Sequence, residues 1–303
     1  MSESSSPDRL TRSECRAFPL LNLTVPSHML ATRVAAVRYL NTAPLIEGLE
    51  KLQGLTLLPT VPSRIADMVI VREADVGLCS IVDCIASDTP LALLPVGMIG
   101  CDGPTLTVRL FSSVPFEQVT TLSADTDSHT SVILAQVLLR KLYNITPRVA
   151  SFHVRERLPV HAGSGDDPWP QTLLMIGDKV VTDSPPAVRF SHQLDLGEAW
   201  KKLTGLPFVY AMWMCRADRM QEPAIANAAS LLDRQRRHNA TRLDWIVQTR
   251  APLAQWPIDL ATQYVGELLR YNVGLREREA VAMFLQMASE LNLLPNRQPT
   301  WAM

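Results

Sequence analysis

RVAAVRYLNTAPLIEGLEKLQGLTLLPTVPSRIADMVIVREADVGLCSI, residues 33–81, is the stretch that decides the fold class. RVAAVRYL (33–40) is almost continuously apolar, as a strand buried on both faces must be. Asn41 and Thr42 follow as N-cap residues for APLIEGLEKL, where Pro44 suits the first helical turn. LTLLPT reads as a second strand, PSRIADMVIVREA as a helix opened by Pro62 and Ser63, and DVGLCSI (75–81) as a third strand. Alternation of this kind is the rhythm of parallel strands linked by crossover helices, so the class is α/β.

Working outward, LALLPVGMI and LTVRLFSS (106–113) add two strands, and VTTLSAD (119–125) starts a new set. DSHTSVILAQVLLRKLYN reads as a buried helix, because Ile133, Leu134, Val137, Leu138 and Leu142 nearly encircle it. TLLMIGDKVV is a strand stopping at Gly177 and Asp178, DLGEAWKKLTG a helix closed by Gly205, and LPFVYAMWMCRAD (206–218) a long strand. Gly163, Gly165, Pro168 and Pro170 make 153–170 a loop, either a lid or an insertion. Everything beyond Glu222 has helical spacing: Val281, Phe284, Leu285 and Ala288 share one face, and Tyr264, Leu268, Tyr271 and Leu275 share another.

LTVRLFSS and FVYAMWMC bracket a middle segment with its own strand and helix units. The expected organisation is therefore a flexible extension (1–31), a discontinuous first lobe (32–112 plus 216–303) and a continuous second lobe (113–215), with a hinge and a cleft between lobes. A length of 303 residues fits two compact lobes.

Composition narrows the function. The chain is 47% hydrophobic, which excludes a mainly disordered protein, and 29 basic against 30 acidic side chains give a net charge of -1. No basic field recommends nucleic acid or an anionic membrane, and the expected partner is a small molecule. The longest apolar run, Leu91 to Met98, is broken by Pro95 and Gly97 and is too short to span a bilayer. Cys15, Cys79, Cys84, Cys101 and Cys215 form no CxxC pair, so reduced thiols in a cytoplasmic protein are expected. The histidines show no metal-ligand spacing, and neither GxGxxG nor GxxxxGK[ST] occurs, so no metal and no cofactor is expected. Oligomeric state leaves no mark in the sequence.

Three clusters could carry chemistry. YLNTAPL (39–45) puts Tyr39, Asn41 and Thr42 at the carboxyl end of the first strand, where open parallel sheets place ligands, although spacing alone favours capping for Asn41 and Thr42. DTDSHTS (125–131) offers Ser128, Thr130 and Ser131 ahead of a helix, a setting equally suited to capping or to an anion, and His129 as a titratable group without an evident aspartate partner. DGPTLTVRL (102–110) adds Thr105 and Thr107, and Asp178 follows a strand and a glycine, where capping is the commoner outcome. Two helix N-termini facing across a cleft would suit a substrate with two carboxylates.

VRYLNTAPL (37–45), ADVGLCSI (74–81), GPTLTVRLFS (103–112), DSHTSVILAQVLL (127–139), LMIGDKVV (174–181), DLGEAWKKLTGLPFVYAMW (195–213) and residues 264–294 together resemble the chorismate dehydratases of the futalosine route to menaquinone. The resemblance implies a two-lobed fold like the type II periplasmic binding proteins. It implies loss of water from chorismate to give 3-(1-carboxyvinyloxy)benzoate, with no cofactor. It also places Asn41 and the Thr107 hydroxyl at the reacting ring as catalytic groups, with Arg38, Tyr39, Thr42, Ser80, Thr105, Ser128, His129, Thr130, Ser131 and Asp178 as substrate-binding residues. Arg38 stands where the family more often has serine, His129 where arginine is usual, and Thr107 where serine is more frequent. A compensating exchange follows, with Arg38 supplying the positive charge that His129 withholds. Two rivals share the fold: the 1,4-dihydroxy-6-naphthoate synthase of the same pathway, whose first motif runs closer to SPCPND, and a solute-binding protein that captures without reacting.

Overall fold

The computed structural model describes residues 31–125, 127–152 and 169–302. Two sheets carry the chain. The first collects β1 (Thr32–Ala36), β2 (Leu55–Pro59), β3 (Val76–Ser80), β4 (Leu91–Cys101), β10 (Phe208–Arg216), β11 (Leu269–Arg270) and β12 (Thr300–Trp301). Its path is β11-β4-β10-β3-β1-β2. The second collects β5 (Val108–Ser112), β6 (Thr121–Ala124), β7 (Arg148–Ser151), β8 (Thr172–Ile176) and β9 (His192–Asp195) in the order β7-β6-β8-β5-β9. The helices are α1 (Ala43–Ile46), α2 (Pro62–Ile70), α3 (Asp83–Ala86), α4 (His129–Tyr143), α5 (Lys179–Thr182), α6 (Leu196–Thr204), α7 (Pro223–Ala240), α8 (Leu243–Arg250), α9 (Ile258–Gln263) and α10 (Leu275–Glu290).

The opening stretch forms the expected parallel ladder, with β1 pairing β2 and β3, and every residue of β3 is buried. It differs at its active end. β1 stops at Ala36, so Tyr39 to Thr42 leave the sheet in a short 3-10 turn, and α1 lasts only four residues because Gly48, with φ +83, sits in the left-handed region and turns the chain. Neither Asn41 nor Thr42 caps a helix with its side chain. The Thr42 hydroxyl is spent on the turn itself, 2.7 Å from Tyr39 O and 3.0 Å from Val37 O.

Strand pairing redraws the expected boundaries at 112 and 216. β5 pairs with β8 and β9 and belongs wholly to the second sheet, while β10 pairs with β3 and β4 and belongs wholly to the first. The chain thus passes between sheets in 102–107 and again in 196–207. Apolar patterning marks a strand but not its partner, which here comes from far along the chain. The first passage is braced by Asp195: its carboxylate accepts from Thr105 N (2.9 Å), Leu106 N (2.7 Å) and, as the N-cap of α6, Glu198 N (3.1 Å). Leu106 is held at φ 71, a left-handed conformation that a leucine adopts only under such constraint.

The chain does not end all-helical. β11 pairs antiparallel with β4 at Gly100 and Cys101, and β12 pairs parallel with β4 at Ala92 and Leu93. Between these points Pro95 and Gly97 fall in the irregularity where β4 slips its register against β10, consistent with a proline that cannot donate to a ladder. Residues 153–168 of the expected loop, and residues 1–30 of the expected extension, lie outside the described residues. Among the described residues no helix is long and apolar enough to cross a membrane. Cys79, Cys84, Cys101 and Cys215 are buried and free. Burial pushes the Cys84 thiol up to about 12 and those of Cys101 and Cys215 up to about 11, so these are packing residues rather than nucleophiles.

Candidate functional site

A narrow cavity of roughly 80 Å³ opens between the two sheets. From the first sheet and its connections come Tyr39, Asn41, Ser80 and Tyr210; from the passage between sheets come Thr105 and Thr107; from the second sheet and its connections come Ser128, Ser131, Ile176 and Gly177. Seven of the residues singled out by sequence therefore share one space. Asn41 and Thr107, on different elements, are among them.

The five others lie elsewhere. Arg38 is exposed on the outer surface, paired with Glu50, in a wider outer cleft that also touches Asp178 and Arg250. The carboxylate its guanidinium holds is the protein's own. Thr42 is fully buried in its turn. Thr130 is likewise fully buried, with its hydroxyl lacking a protein partner. His129 does have an aspartate partner: its Nδ1 lies 2.8 Å from Oδ1 of the buried Asp83 at the start of α3. The sequence hid this pair because 46 residues separate its members.

Polar groups around the cavity are organised in local sets. The Thr105 hydroxyl lies 2.7 Å from the Tyr210 hydroxyl and 3.2 Å from Cys101 Sγ. Ser128 caps α4, its Oγ accepting from Ser131 N at 3.3 Å and lying 3.0 Å from Ser131 Oγ. An anion beside these serines would face the positive end of a fifteen-residue helix. Asp127 is the one charged side chain lining the cavity among the described residues, and Lys179 Nζ holds it at 2.8 Å while also pairing with Asp125. Burial pulls the Lys179 ammonium down, but its two carboxylates outweigh that and hold it above its ordinary value. The local charge is thereby internal to the protein, and the lining presents mostly neutral donors and acceptors.

Tyr264 is a polar lining residue that sequence reading missed, as are Tyr210 and Asp127. The Tyr264 hydroxyl is 2.6 Å from Thr107 Oγ1. Burial raises its pKa above the usual phenol value, against the hydrogen bond to Thr107, so it stays protonated. Helical periodicity marked Tyr264 as a core residue, which it is at 1% exposure; nothing in the spacing revealed that its polar end reaches the cavity. Asn41 Oδ1 is buried with no protein partner. Among the described residues, no group of three or more His, Cys, Asp or Glu is arranged to hold a metal ion.

The sequence comparisons agree on one family. The family model for menaquinone biosynthesis matches residues 32–290. A chorismate dehydratase of Thermus thermophilus is 28% identical over 228 residues, covering 71% of this chain and 79% of that protein. Among solved structures, a protein of Archaeoglobus fulgidus superposes with a TM-score of 0.63 at 11% identity, covering 88% of this chain and 100% of the other. The periplasmic aliphatic sulphonate binding protein SsuA of Escherichia coli superposes with a TM-score of 0.57 at 12% identity, covering 90% and 94%. At those identities the likeness speaks for the fold alone, which is that of the periplasmic binding proteins.

Proposed function

The chain belongs to the menaquinone biosynthesis family, and from that premise we propose that it is a hydro-lyase that dehydrates chorismate to 3-(1-carboxyvinyloxy)benzoate and water. The observation that carries this reading is the convergence of Asn41 and Thr107, from separate elements, on one cavity of predominantly neutral lining. The name of the Thermus relative supports the same reaction over that of the naphthoate synthase.

The chemistry asks little of the protein in acid or base strength. The C3 hydrogen of chorismate is acidified through the ring diene and carboxylate, and the C4 hydroxyl departs as water when that proton is lost, leaving an aromatic ring. Aromatisation supplies the driving force. The enzyme's tasks are to orient the dianion, to hydrogen-bond the departing oxygen and to keep out bulk water. Ser128 and Ser131 at the start of α4 offer a seat for one carboxylate. Asn41 and Thr107 act on the C4 hydroxyl. The substrate's own side-chain carboxylate, next to C3, serves as the base, so no protein carboxylate is required for proton removal.

Incubating the protein with chorismate and following mass and ultraviolet absorption tests the reading. The expected product is an aromatic ether about 18 mass units lighter, as loss of one water demands. Chorismate recovered unchanged from a tight complex would instead identify a binding protein.

A further inference from the structure

We propose that Lys179 is a positioning residue for substrate binding: it acts through Asp127, the carboxylate in the cavity wall, whose charge it neutralises so that an anion can share the cavity. The proposal rests on the dehydratase reading and deepens it, because chorismate is a dianion that a bare Asp127 would repel.

Strand pairing brings these charges together. β6 and β8 run parallel, with Ser123 opposite Leu173 and Ala124 opposite Leu174, so both strands end at the same edge of the second sheet. Open α/β sheets bind their ligands beyond such carboxyl ends. Past β6 comes Asp125, whose N–H donates to Leu174 O at 3.1 Å, and then Asp127, whose N–H donates to Asp125 Oδ1 at 3.3 Å. Past β8 the chain turns at Gly177, with φ +66 and its N–H on Thr107 O at 2.8 Å, and reaches Lys179 at the start of α5. The Lys179 ammonium donates to Asp127 Oδ2 at 2.8 Å and pairs with Asp125 as well. Those directions are fixed, because an ammonium has only protons to give.

The two carboxylates have different surroundings. Asp125 is 3% exposed and lies behind the wall, whereas Asp127 lines the cavity. Asp125 alone would balance the ammonium, so the second pair is the one that serves the cavity. Ser128, part of the seat for one substrate carboxylate, follows Asp127 directly in the chain. Two carboxylates against one ammonium leave a formal charge of -1, and losing Lys179 would leave two bare carboxylates at a wall that faces a dianion. In a partly dry site like charges repel far more strongly than across bulk water. Lys179 is itself buried, yet its two carboxylates keep it charged, as the compensation requires.

Steady-state kinetics with chorismate at low ionic strength test this. Lys179→Met is expected to raise KM by at least ~10-fold and to change kcat less, because the repulsion acts on bound substrate and transition state alike. Added salt should shrink that defect. Asp127→Asn made in the Lys179→Met background is expected to recover most of the lost KM, since the bare carboxylate is then gone; a lysine needed only for folding would not be rescued by a second loss. Asp127→Asn by itself leaves Lys179 on Asp125 and should lower KM by about twofold or more, and it decides the matter if Lys179→Met fails to fold. A Lys179→Met KM equal to wild type, no recovery in the double variant, or an unchanged or raised KM for Asp127→Asn overturns the proposal. If wild-type protein binds chorismate without converting it, the dehydratase reading falls, and the same comparisons read as Kd by calorimetry decide the compensation. Wild-type protein that neither binds nor converts chorismate overturns both.

Discussion

Asn41 lines the same cavity as Thr107, and its side-chain oxygen has no protein partner, so its removal should be felt in the chemical step. Asn41→Ala is expected to lower kcat for chorismate by at least ~10²-fold in steady-state assays, and near-normal turnover would take the residue out of the mechanism. Arg38→Ala should leave KM within about threefold of wild type, since an exposed ion pair with Glu50 contributes little; a large rise would return Arg38 to the substrate. His129 behaves differently. Its hydrogen bond to Asp83 raises its pKa above the ordinary histidine value, burial works against this, and the charges of Asp83 and Asp67 reinforce it. A raised folded-state value means the pair stabilises fully below the ordinary histidine value and loses its contribution as pH climbs through the raised one. The Tm difference between wild type and His129→Gln should accordingly be greatest in mild acid and shrink above neutrality; a difference independent of pH would contradict this. The candidate residues themselves were legible in sequence, because strand ends and helix starts are where ligands bind. What each hydroxyl or charge does was not, because Glu50, Asp83 and Tyr264 are partners set by tertiary structure.

The element that most constrains the site is the passage 102–107, pinned by Asp195 and pressed by α6. Asp195→Ala would remove an N-cap and leave the Thr105 and Leu106 N–H groups without their acceptor, a destabilisation of about 2–4 kcal/mol visible in urea unfolding. Turnover should fall as well, because Thr107 follows directly; a stable variant with full activity would show that the brace is dispensable. Gly197 shows the same crowding: a Cβ there would lie 2.1 Å from Thr105 Oγ1 and 2.6 Å from Gly103 O. Elements with long apolar patterns, α4 and β10 among them, could be read ahead of the structure. The two-residue strands β11 and β12 could not, since so short a segment has no period and is made by the open edge of β4. The π-turn escaped for the same reason, and it is the turn that brings Tyr264 to the cavity.

At the scale of the whole molecule, two sheets share one apolar core that runs from Leu110, Leu122 and Leu174 to Met212 and Phe284. Periodicity revealed the α/β class, and the ordered set of motifs pointed to the family that the comparison reports. Sheet membership depends on distant pairings, which no local period carries. The central claim is that one cavity, built from both sheets and the passage between them, receives chorismate with its C4 hydroxyl between Asn41 and Thr107. A crystal structure of the slowed Asn41→Ala protein with chorismate tests this most directly. The account predicts the ring inside that cavity, with the C4 oxygen within hydrogen-bond distance of the Thr107 hydroxyl. Chorismate lodged instead in the outer cleft against Arg38 and Arg250, with the inner cavity vacant, would contradict it.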